Sequence, residues 1–319
     1  MDDKMKVARL SIISNSLLTL GKLGVGVYMQ SVSVISEAFH SGLDLLAALI
    51  AFISVREAGK PADEIHRYGH GKFENLASIL EALLIIGAAV LIIVKAVPKL
   101  TGEAEIRSLG LGIIVMGVSA LVNFIVSSRL MRVAKKTDSP ALAADAWHLR
   151  TDVYTSLGVF IGIIVIKLTG ITIIDPIIAI VVALFILKAA YDLIKESMGS
   201  MLDVSLPAEE EKIIHEVLTH YSDKYLEYHR LRTRKSGSQR HVDLHLVVPK
   251  HSPITKSHDL CDQIEEELKN KLFNLELLIH VEPCGENCEN CQYTKKDLNK
   301  RNTNFKTVKD CDKCRKRQN

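Results

Sequence analysis

Residues 35–44 read ISEAFHSGLD and place three ionisable side chains, Glu37, His40 and Asp44, within a run of mostly apolar residues. The run is long enough for a helix that crosses a hydrocarbon core, which takes roughly 20 apolar residues. Ionisable side chains at that depth cost about 2.5–3.5 kcal/mol each on insertion scales and often mark a binding or transport function. The stretch therefore predicts a membrane-spanning helix with a functional polar face.

The chain divides into an apolar part and a charged part. Hydrophobic residues make up 48% of its 319 residues, and the mean hydropathy of +0.16 averages two different halves. We expect a membrane all-α domain, a six-helix transmembrane bundle over residues 1–199, then a small α/β domain over 200–284 and a cysteine-rich basic tail over 285–319. The six apolar runs have approximate limits of 8–28, 31–55, 76–97, 109–132, 142–166 and 172–195.

Basic residues between the apolar runs indicate the orientation. Lys4 and Lys6 precede the first run and Arg9 lies at its start, and further basic clusters follow the second and fourth runs. By the positive-inside rule both termini are cytoplasmic, so we expect a multi-pass protein of the plasma or inner cell membrane. The net charge of +3 is nearly balanced, and no basic, aromatic-rich pattern indicates a nucleic-acid partner.

A matching pattern lies in the fifth run, where residues 144–152 read ADAWHLRTD. In both runs an acid is followed three residues later by a His, and the His is followed four residues later by an Asp. Residues four apart share a helix face, so two such helices packed together would form a four-coordinate nitrogen and oxygen site suited to zinc. Isolated buried ion pairs are the alternative, which the repetition at equal spacing disfavours. The four predicted ligands are His40, Asp44, His148 and Asp152.

Residues 31–47, SVSVISEAFHSGLDLLA, are similar in nearly every position to the signature of the cation diffusion facilitators, which are proton-coupled efflux transporters for zinc and related ions. The departure is Glu37, where Asp or Ala is usual. The resemblance extends over residues 1 to about 284. It implies a homodimeric secondary active transporter rather than an enzyme, with the four ligands above as the transport site in the lipid bilayer.

The ligand types favour zinc. A His at position 40 resembles the zinc-preferring branch of the family, and imidazole suits zinc, cobalt or iron better than manganese or magnesium. Export of iron, cobalt or cadmium by the same mechanism is an alternative, and a membrane-anchored metal sensor is another. A sensor would need no buried His and Asp pairs, and an intramembrane zinc hydrolase is disfavoured because the chain has no HExxH motif.

Metal ligands must be deprotonated, so loading the site expels protons and protonating it expels metal. Imidazole titrates near neutral pH, which makes His40 and His148 the expected exchange groups of an antiporter. Glu37 and Asp145 lie one turn before these His residues. An accessory role beside the metal and a purely structural role are both open for them.

The connection between the second and third runs, PADEIHRYGHGKFE at residues 61–74, contains an Asp and two His at metal-ligand spacing. In the family the matching residues, Asp63, His66 and His70, form a second, more superficial zinc site. Solvated surface histidines are the alternative.

After Pro207 the sequence pattern predicts a helix at 208–221, strands at 227–235 and 240–248, a helix at 254–273 and a strand at 275–283. This α-β-β-α-β order resembles the family's metallochaperone-like cytoplasmic domain, which dimerises and binds zinc. Zinc is therefore expected as substrate and as a structural or regulatory ion, with exposed strand histidines as the alternative. The resemblance implies ligands at His229, His245, His258, His280 and Glu282, where the family often has Asp at the last position.

The tail carries two CxxC pairs separated by nineteen residues, a spacing typical of four-thiolate zinc sites. The residues between the pairs lack the apolar side chains needed to fold unaided. We expect a zinc-nucleated knuckle, with a disordered basic tail as the alternative. Its ligands would be Cys288, Cys291, Cys311 and Cys314.

Overall fold

The computed structural model describes residues 2–28, 32–100, 110–169 and 173–284. The side chains of some residues within the helices, among them Glu37 and His40, lie outside the described part. The chain forms two compact units, a helical unit, Met1–Leu202, and an α/β unit, Asp203–Asn319.

Long helices make up the helical unit. The helix that contains the third apolar run begins at Lys72, and the helix that contains the sixth run continues to Met201. Both extend past the predicted limits because i to i−4 hydrogen bonding continues through the polar turns that flank a lipid-length segment. The helices are α1 (Asp2–Tyr28), α2 (Val32–Ala58), α3 (Lys72–Ala96) with a short 3₁₀ turn (Val97–Leu100), α4 (Gly110–Thr137), α5 (Pro140–Thr169) and α6 (Ile174–Met201).

Small and polar side chains fill much of the interior of the helical unit beside a few large apolar ones such as Leu130 and Ile186, and many other large apolar side chains face outward. Ala82 and Ala89 of α3 are fully buried, whereas Leu83 and Val90 on the same helix are exposed. Small residues let helix backbones approach closely, which is the usual packing of helices in lipid. So many exposed large apolar side chains are not expected in a water-soluble bundle, in which large apolar residues are concentrated in the core.

Three described stretches are long and apolar enough to cross a membrane: Lys72–Ala96, Gly117–Thr137 and Pro176–Met201. Soluble proteins rarely expose contiguous apolar patches larger than a few hundred Å². The outward apolar side chains and these stretches together make the helical unit a membrane domain.

The α/β unit is a three-stranded sheet with two helices. Its elements are α7 (Ala208–His220), β1 (Glu227–Ser236), β2 (Gln239–Val248), α8 (Ile254–Lys271) and β3 (Leu275–Pro283), and the strand order is β1-β2-β3. β1 and β2 are antiparallel and joined by a tight turn at Gly237, whose φ of 59° suits a two-residue hairpin. β2 and β3 are parallel, and α8 is the crossover that parallel neighbours require.

Alternation along β2 gives the sheet one apolar and one polar face. Leu244 and Leu246 are buried, and they pack with Ile264 and Leu268 of α8 in one core. His245 lies between the two leucines, so its side chain points to the opposite face of the sheet. The apolar pattern thus leaves one face of the sheet for polar chemistry.

Truncating a core side chain of the α/β unit should weaken it locally. We expect Leu244→Ala to destabilise the unit by about 2–5 kcal/mol, because Leu244 is 1% exposed and its removal leaves a cavity. Hydrogen exchange of the β2 amides in the purified full chain measures the change. Leu278→Ala is the matched control, because Leu278 is 67% exposed. Equal loss of protection in the two variants would contradict this assignment of the core.

Candidate metal sites

A buried contact joins α2 and α5 in the interior of the helical unit. Oδ1 of Asp44 lies 3.2 Å from Nε2 of His148, and their side chains are 4% and 8% exposed. Among the described residues, Nδ1 of His148 has no hydrogen-bond partner. The two side chains predicted from separate apolar runs therefore meet across a helix interface.

The 3.2 Å separation of these two atoms is that of a direct hydrogen bond, and it is also close to the spacing of two ligands of one metal ion. Zinc bonds to nitrogen and oxygen are about 2.0–2.2 Å long, so neighbouring ligands of a tetrahedral ion lie roughly 3.3–3.6 Å apart. A carboxylate and a neutral imidazole form a donor set for zinc and similar divalent ions. The pair can thus contribute half of a four-coordinate site.

The other two predicted ligands differ in what the structure describes. Asp152 lies one turn beyond His148 on α5, and its Oδ2 accepts a hydrogen bond of 3.3 Å from Nδ2 of Asn123 on α4. Within the described residues, Asp152 does not join Asp44 and His148 in a cluster whose ligand atoms all lie within 4.8 Å of one another. His40 lies on α2, and its side chain is outside the described part.

The loop between α2 and α3 folds around Asp63. Its Oδ1 accepts hydrogen bonds from the backbone amides of Ile65 (3.0 Å) and His66 (2.6 Å). The amide of His66 is the main cause of a pKa of Asp63 below its ordinary value. Gly69 has a φ of 79°, a left-handed conformation that glycine adopts without strain, and it turns the chain so that His70 returns toward Asp63.

The three predicted loop ligands therefore form a cluster. Oδ2 of Asp63 lies 3.3 Å from Nε2 of His70, and Oδ1 lies 3.5 Å from Nδ1 of His66. The ligand atoms of all three residues lie within 4.8 Å of one another. His70 is buried while Asp63 and His66 are exposed, so the cluster opens to solvent on one side.

The polar face of the sheet aligns three imidazoles. His229 of β1 pairs with His245 of β2, which in turn pairs with His280 of β3. Directly paired residues point to the same face of a sheet, and the ring centroids of neighbouring members are 5.3 Å and 4.8 Å apart. Strand register alone therefore assembles the row.

Glu282 completes a cluster with two of these histidines, because it lies two residues after His280 on the same face of β3. Its Oε1 is 2.7 Å from Nδ1 of His245, and its Oε2 is 3.5 Å from Nε2 of His229. The three ligand atoms lie within 4.8 Å of one another. The hydrogen bond from His245 is the main cause of a pKa of Glu282 below its ordinary value.

The remaining two predicted ligands of this domain lie differently. Nε2 of His280 is 3.7 Å from Oε1 of Glu282, so His280 borders the cluster. His258 lies on α8, which packs on the apolar face of the sheet, and its exposed side chain is near Asp262. Among the described residues of one chain, His258 therefore lies apart from the cluster.

Two buried acids of α3 were not singled out by the sequence reasoning. Glu74 forms an ion pair with Lys4 of α1 at 2.8 Å and accepts a hydrogen bond from Ser139. Glu81 is fully buried two turns further along the same helix. Glu81 falls within the third apolar run, and an acid at membrane depth is a sequence signal that could have marked it as a candidate functional residue.

The four predicted tail ligands, Cys288, Cys291, Cys311 and Cys314, lie outside the described residues. Cys284 is the last described residue, and it is buried with its Sγ 3.4 Å from the amide of Lys250. The free Cys261 of α8 packs against the apolar core.

Comparison with known proteins identifies two family domains in the chain. Residues 8–202 match the cation efflux transmembrane domain, and residues 206–284 match the cytoplasmic domain of cation efflux proteins. A solved structure of the protein CzrB is 38% identical and covers 25% of this chain and 100% of that chain, with a TM-score of 0.24.

Two relatives match along most of their length. The uncharacterized transporter sll1263 of Synechocystis sp. is 35% identical over 85% of this chain and 88% of its own. The cation-efflux pump FieF of Serratia proteamaculans is 31% identical over 85% of this chain and 89% of its own. Because both family domains and a cation-efflux relative match most of its length, the chain, which also has the buried Asp and His pair, belongs to the cation diffusion facilitator family of divalent metal cation efflux transporters.

Proposed function

We propose that the protein is a secondary active antiporter that exports zinc from the cytoplasm in exchange for protons. Its family membership makes it a transporter of divalent metal cations rather than an enzyme. Zinc as the main substrate and protons as the counter-ion are the further steps of the proposal. Iron, cobalt and cadmium remain alternative substrates for the same donor set.

The observation that carries the proposal is the contact between Asp44 and His148. Its 3.2 Å separation suits two ligands of one zinc ion, and both side chains are buried in a membrane domain. A charged group at this depth needs compensation by a counter-charge or a proton. We propose His40 and Asp152 as the other two ligands of the transport site.

Proton exchange follows from the chemistry of the ligands. An imidazole nitrogen binds either a proton or a metal ion, and imidazole titrates near neutral pH. Zinc therefore displaces protons when it enters the site, and protons displace zinc when the site opens to the opposite, more acidic side. The domain that alternates between the two sides is proposed to span the membrane six times, with both termini in the cytoplasm.

We further propose that resident zinc ions bind outside the membrane. Asp63, His66 and His70 would hold one ion at the loop, and the sheet cluster of His229, His245 and Glu282 would hold another. In both clusters the ligand atoms lie within 4.8 Å of one another, close enough to bind one metal ion together. His280 beside the sheet cluster, His258 and the four tail cysteines are proposed as additional ligands on the resemblance and the spacing.

These resident ions suit a regulatory role in a homodimer. Zinc that binds one arrangement of the α/β units more tightly than another stabilises that arrangement by mass action. The proposed division of the chain is a transport domain at 1–199, a dimerisation domain at 200–284 and a zinc-binding tail at 285–319.

Removing a ligand of the transport site should stop transport. We expect Asp44→Ala to reduce zinc flux at least about tenfold, because the remaining His148 then lacks the carboxylate that neutralises the bound cation. The measurement is zinc uptake by proteoliposomes under an imposed pH gradient. Asp192→Asn on α6 is the control, because Asp192 is an exposed acid of the same domain. Zinc flux that persists unchanged in Asp44→Ala would contradict the site, whereas a wild-type flux indifferent to the pH gradient would contradict proton coupling.

The sheet cluster should show a pH dependence set by its histidines. The pKa of Glu282 is below its ordinary value, so this carboxylate is already ionised throughout the range in which imidazole titrates. We expect Glu282→Gln to weaken zinc binding at least about tenfold without changing the slope of log affinity against pH. We expect His245→Asn to weaken binding and to lower that slope by about one, because one proton fewer is displaced.

Isothermal titration of the full chain with Zn²⁺ at several pH values checks both expectations. His220→Asn is the control, because His220 is an exposed histidine bonded to Glu267 and outside the cluster. A slope that falls in Glu282→Gln instead of His245→Asn would reverse the roles given to the two groups.

A further inference from the structure

Glu81 is a buried acid for which the described residues supply no counter-charge and no hydrogen bond. It lies on α3, is 0% exposed, and neither of its carboxyl oxygens has a hydrogen-bond partner among the described residues. Helix α3 is one of the stretches apolar enough to cross the membrane. An ionised carboxylate without a partner in such surroundings is strongly disfavoured, so the group needs a proton or a nearby cation.

A second buried acid faces Glu81 from α5. Asp145 is also 0% exposed, and its negative charge repels a negative charge on Glu81. The hydroxyl of Ser11 on α1 faces Asp145, but neither Asp145 oxygen meets the geometry of a hydrogen bond. Among the described residues, Asp145 is the charged group that interacts electrostatically with Glu81. Asp145 in turn interacts electrostatically with Asp44 and His148.

Glu74, two turns earlier on the same helix, is a buried acid whose negative charge is compensated by its neighbours. It is 2% exposed, yet Lys4 supplies a positive charge and Ser139 donates a hydrogen bond. Glu74 therefore has both a counter-charge and a hydrogen bond inside the bundle. Among the residues that the structure describes, Glu81 has neither kind of partner and instead faces a like charge, which disfavours ionisation of both carboxyls together.

The position of the pair connects it to the cation site. Asp145 precedes His148 by three residues on α5, so it lies about one helical turn from a proposed ligand. A divalent cation at Asp44 and His148 adds positive charge near the pair, and this lowers the cost of ionising Glu81. An empty cation site removes that charge and favours a protonated Glu81.

We propose that Glu81 and Asp145 form a second proton-binding site, which holds a proton on Glu81 while the cation site is empty and releases it when a divalent cation binds at Asp44 and His148. The proposal rests on the proposed metal and proton exchange and adds a group to it. On release the O–H bond of the Glu81 carboxylic acid breaks, the electron pair stays on the carboxylate, and the proton passes to water.

The test counts protons. Purified full-length protein in weakly buffered detergent solution is titrated with Zn²⁺, and a pH-indicator dye reports the protons released per protein at saturation. We expect Glu81→Gln, which keeps the shape but cannot release a proton, to bind zinc and to release about one proton fewer than the wild type. The loop and sheet clusters release their own protons in both proteins, so the difference isolates Glu81. Asp192→Asn is the control for loss of an acid without this environment.

Each outcome decides a separate question. Equal proton release by wild type and Glu81→Gln overturns the second proton site while leaving the antiporter intact. A wild type that transports zinc in proteoliposomes without proton movement overturns the proposed function itself.

A spectroscopic measurement covers the case in which Glu81→Gln does not fold. The infrared difference spectrum of wild-type protein with and without Zn²⁺ should lose the carbonyl band of a protonated carboxylic acid. Glu81→Asp keeps the carboxyl group and should shift that band. Absence of the loss in the wild type, or an unshifted band in Glu81→Asp, overturns the proposal.

Discussion

The cost of charge in a membrane interior is the constraint on which this structure depends. The helical unit exposes many large apolar side chains and buries several acids, a histidine and amides inside the bundle. Each buried acid must therefore find compensation within the bundle. Glu74 finds it in Lys4, and Asp44 finds it in His148. The second pair differs in kind, because an imidazole and a carboxylate can exchange a proton for a metal ion, whereas an ammonium group with its carboxylate cannot bind one.

The α/β unit solves a different problem with a similar set of donors. Its histidines lie on one face of a sheet whose other face is fixed by the apolar core of Leu244 and Leu246. Because strand register aligns His229, His245 and His280, the cluster needs no dedicated loop. A shift of one residue in β2 would turn His245 into the core and destroy both features at once. The core and the polar row are therefore specified by the same alternation.

Much of this organisation was predictable because it depends on local periodicity. The four-residue spacing from His148 to Asp152 places both on one helix face, and the two-residue period of β2 separates His245 from Leu244. The strand and helix limits of the α/β unit lie within two residues of those expected from the sequence. The loop cluster follows from close spacing and a glycine at position 69.

Contacts between distant elements were harder to predict. Spacing on α2 and α5 does not reveal that Asp44 and His148 are 3.2 Å apart, and nothing local indicates that Lys4 neutralises Glu74. Nor does the helical pattern of α8 reveal that His258 lies on a helix packed against the apolar face of the sheet. Such contacts depend on how whole helices pack, and that packing is decided by many weak contacts at once.

The candidate clusters differ in burial, and burial determines how each can use a cation. The side chains of Asp44 and His148 are at most 8% exposed, those of the sheet cluster are 17–38% exposed, and Asp63 is 51% exposed. Water can solvate an empty, negatively charged loop or sheet cluster, so the charge left by a departing metal ion need not be neutralised by a proton there. The buried pair has no such solvent and must stay close to neutral in every state. A proton is then the simplest replacement for a departing cation, so the proposed proton exchange suits the membrane interior and the proposed regulatory binding suits the exposed clusters.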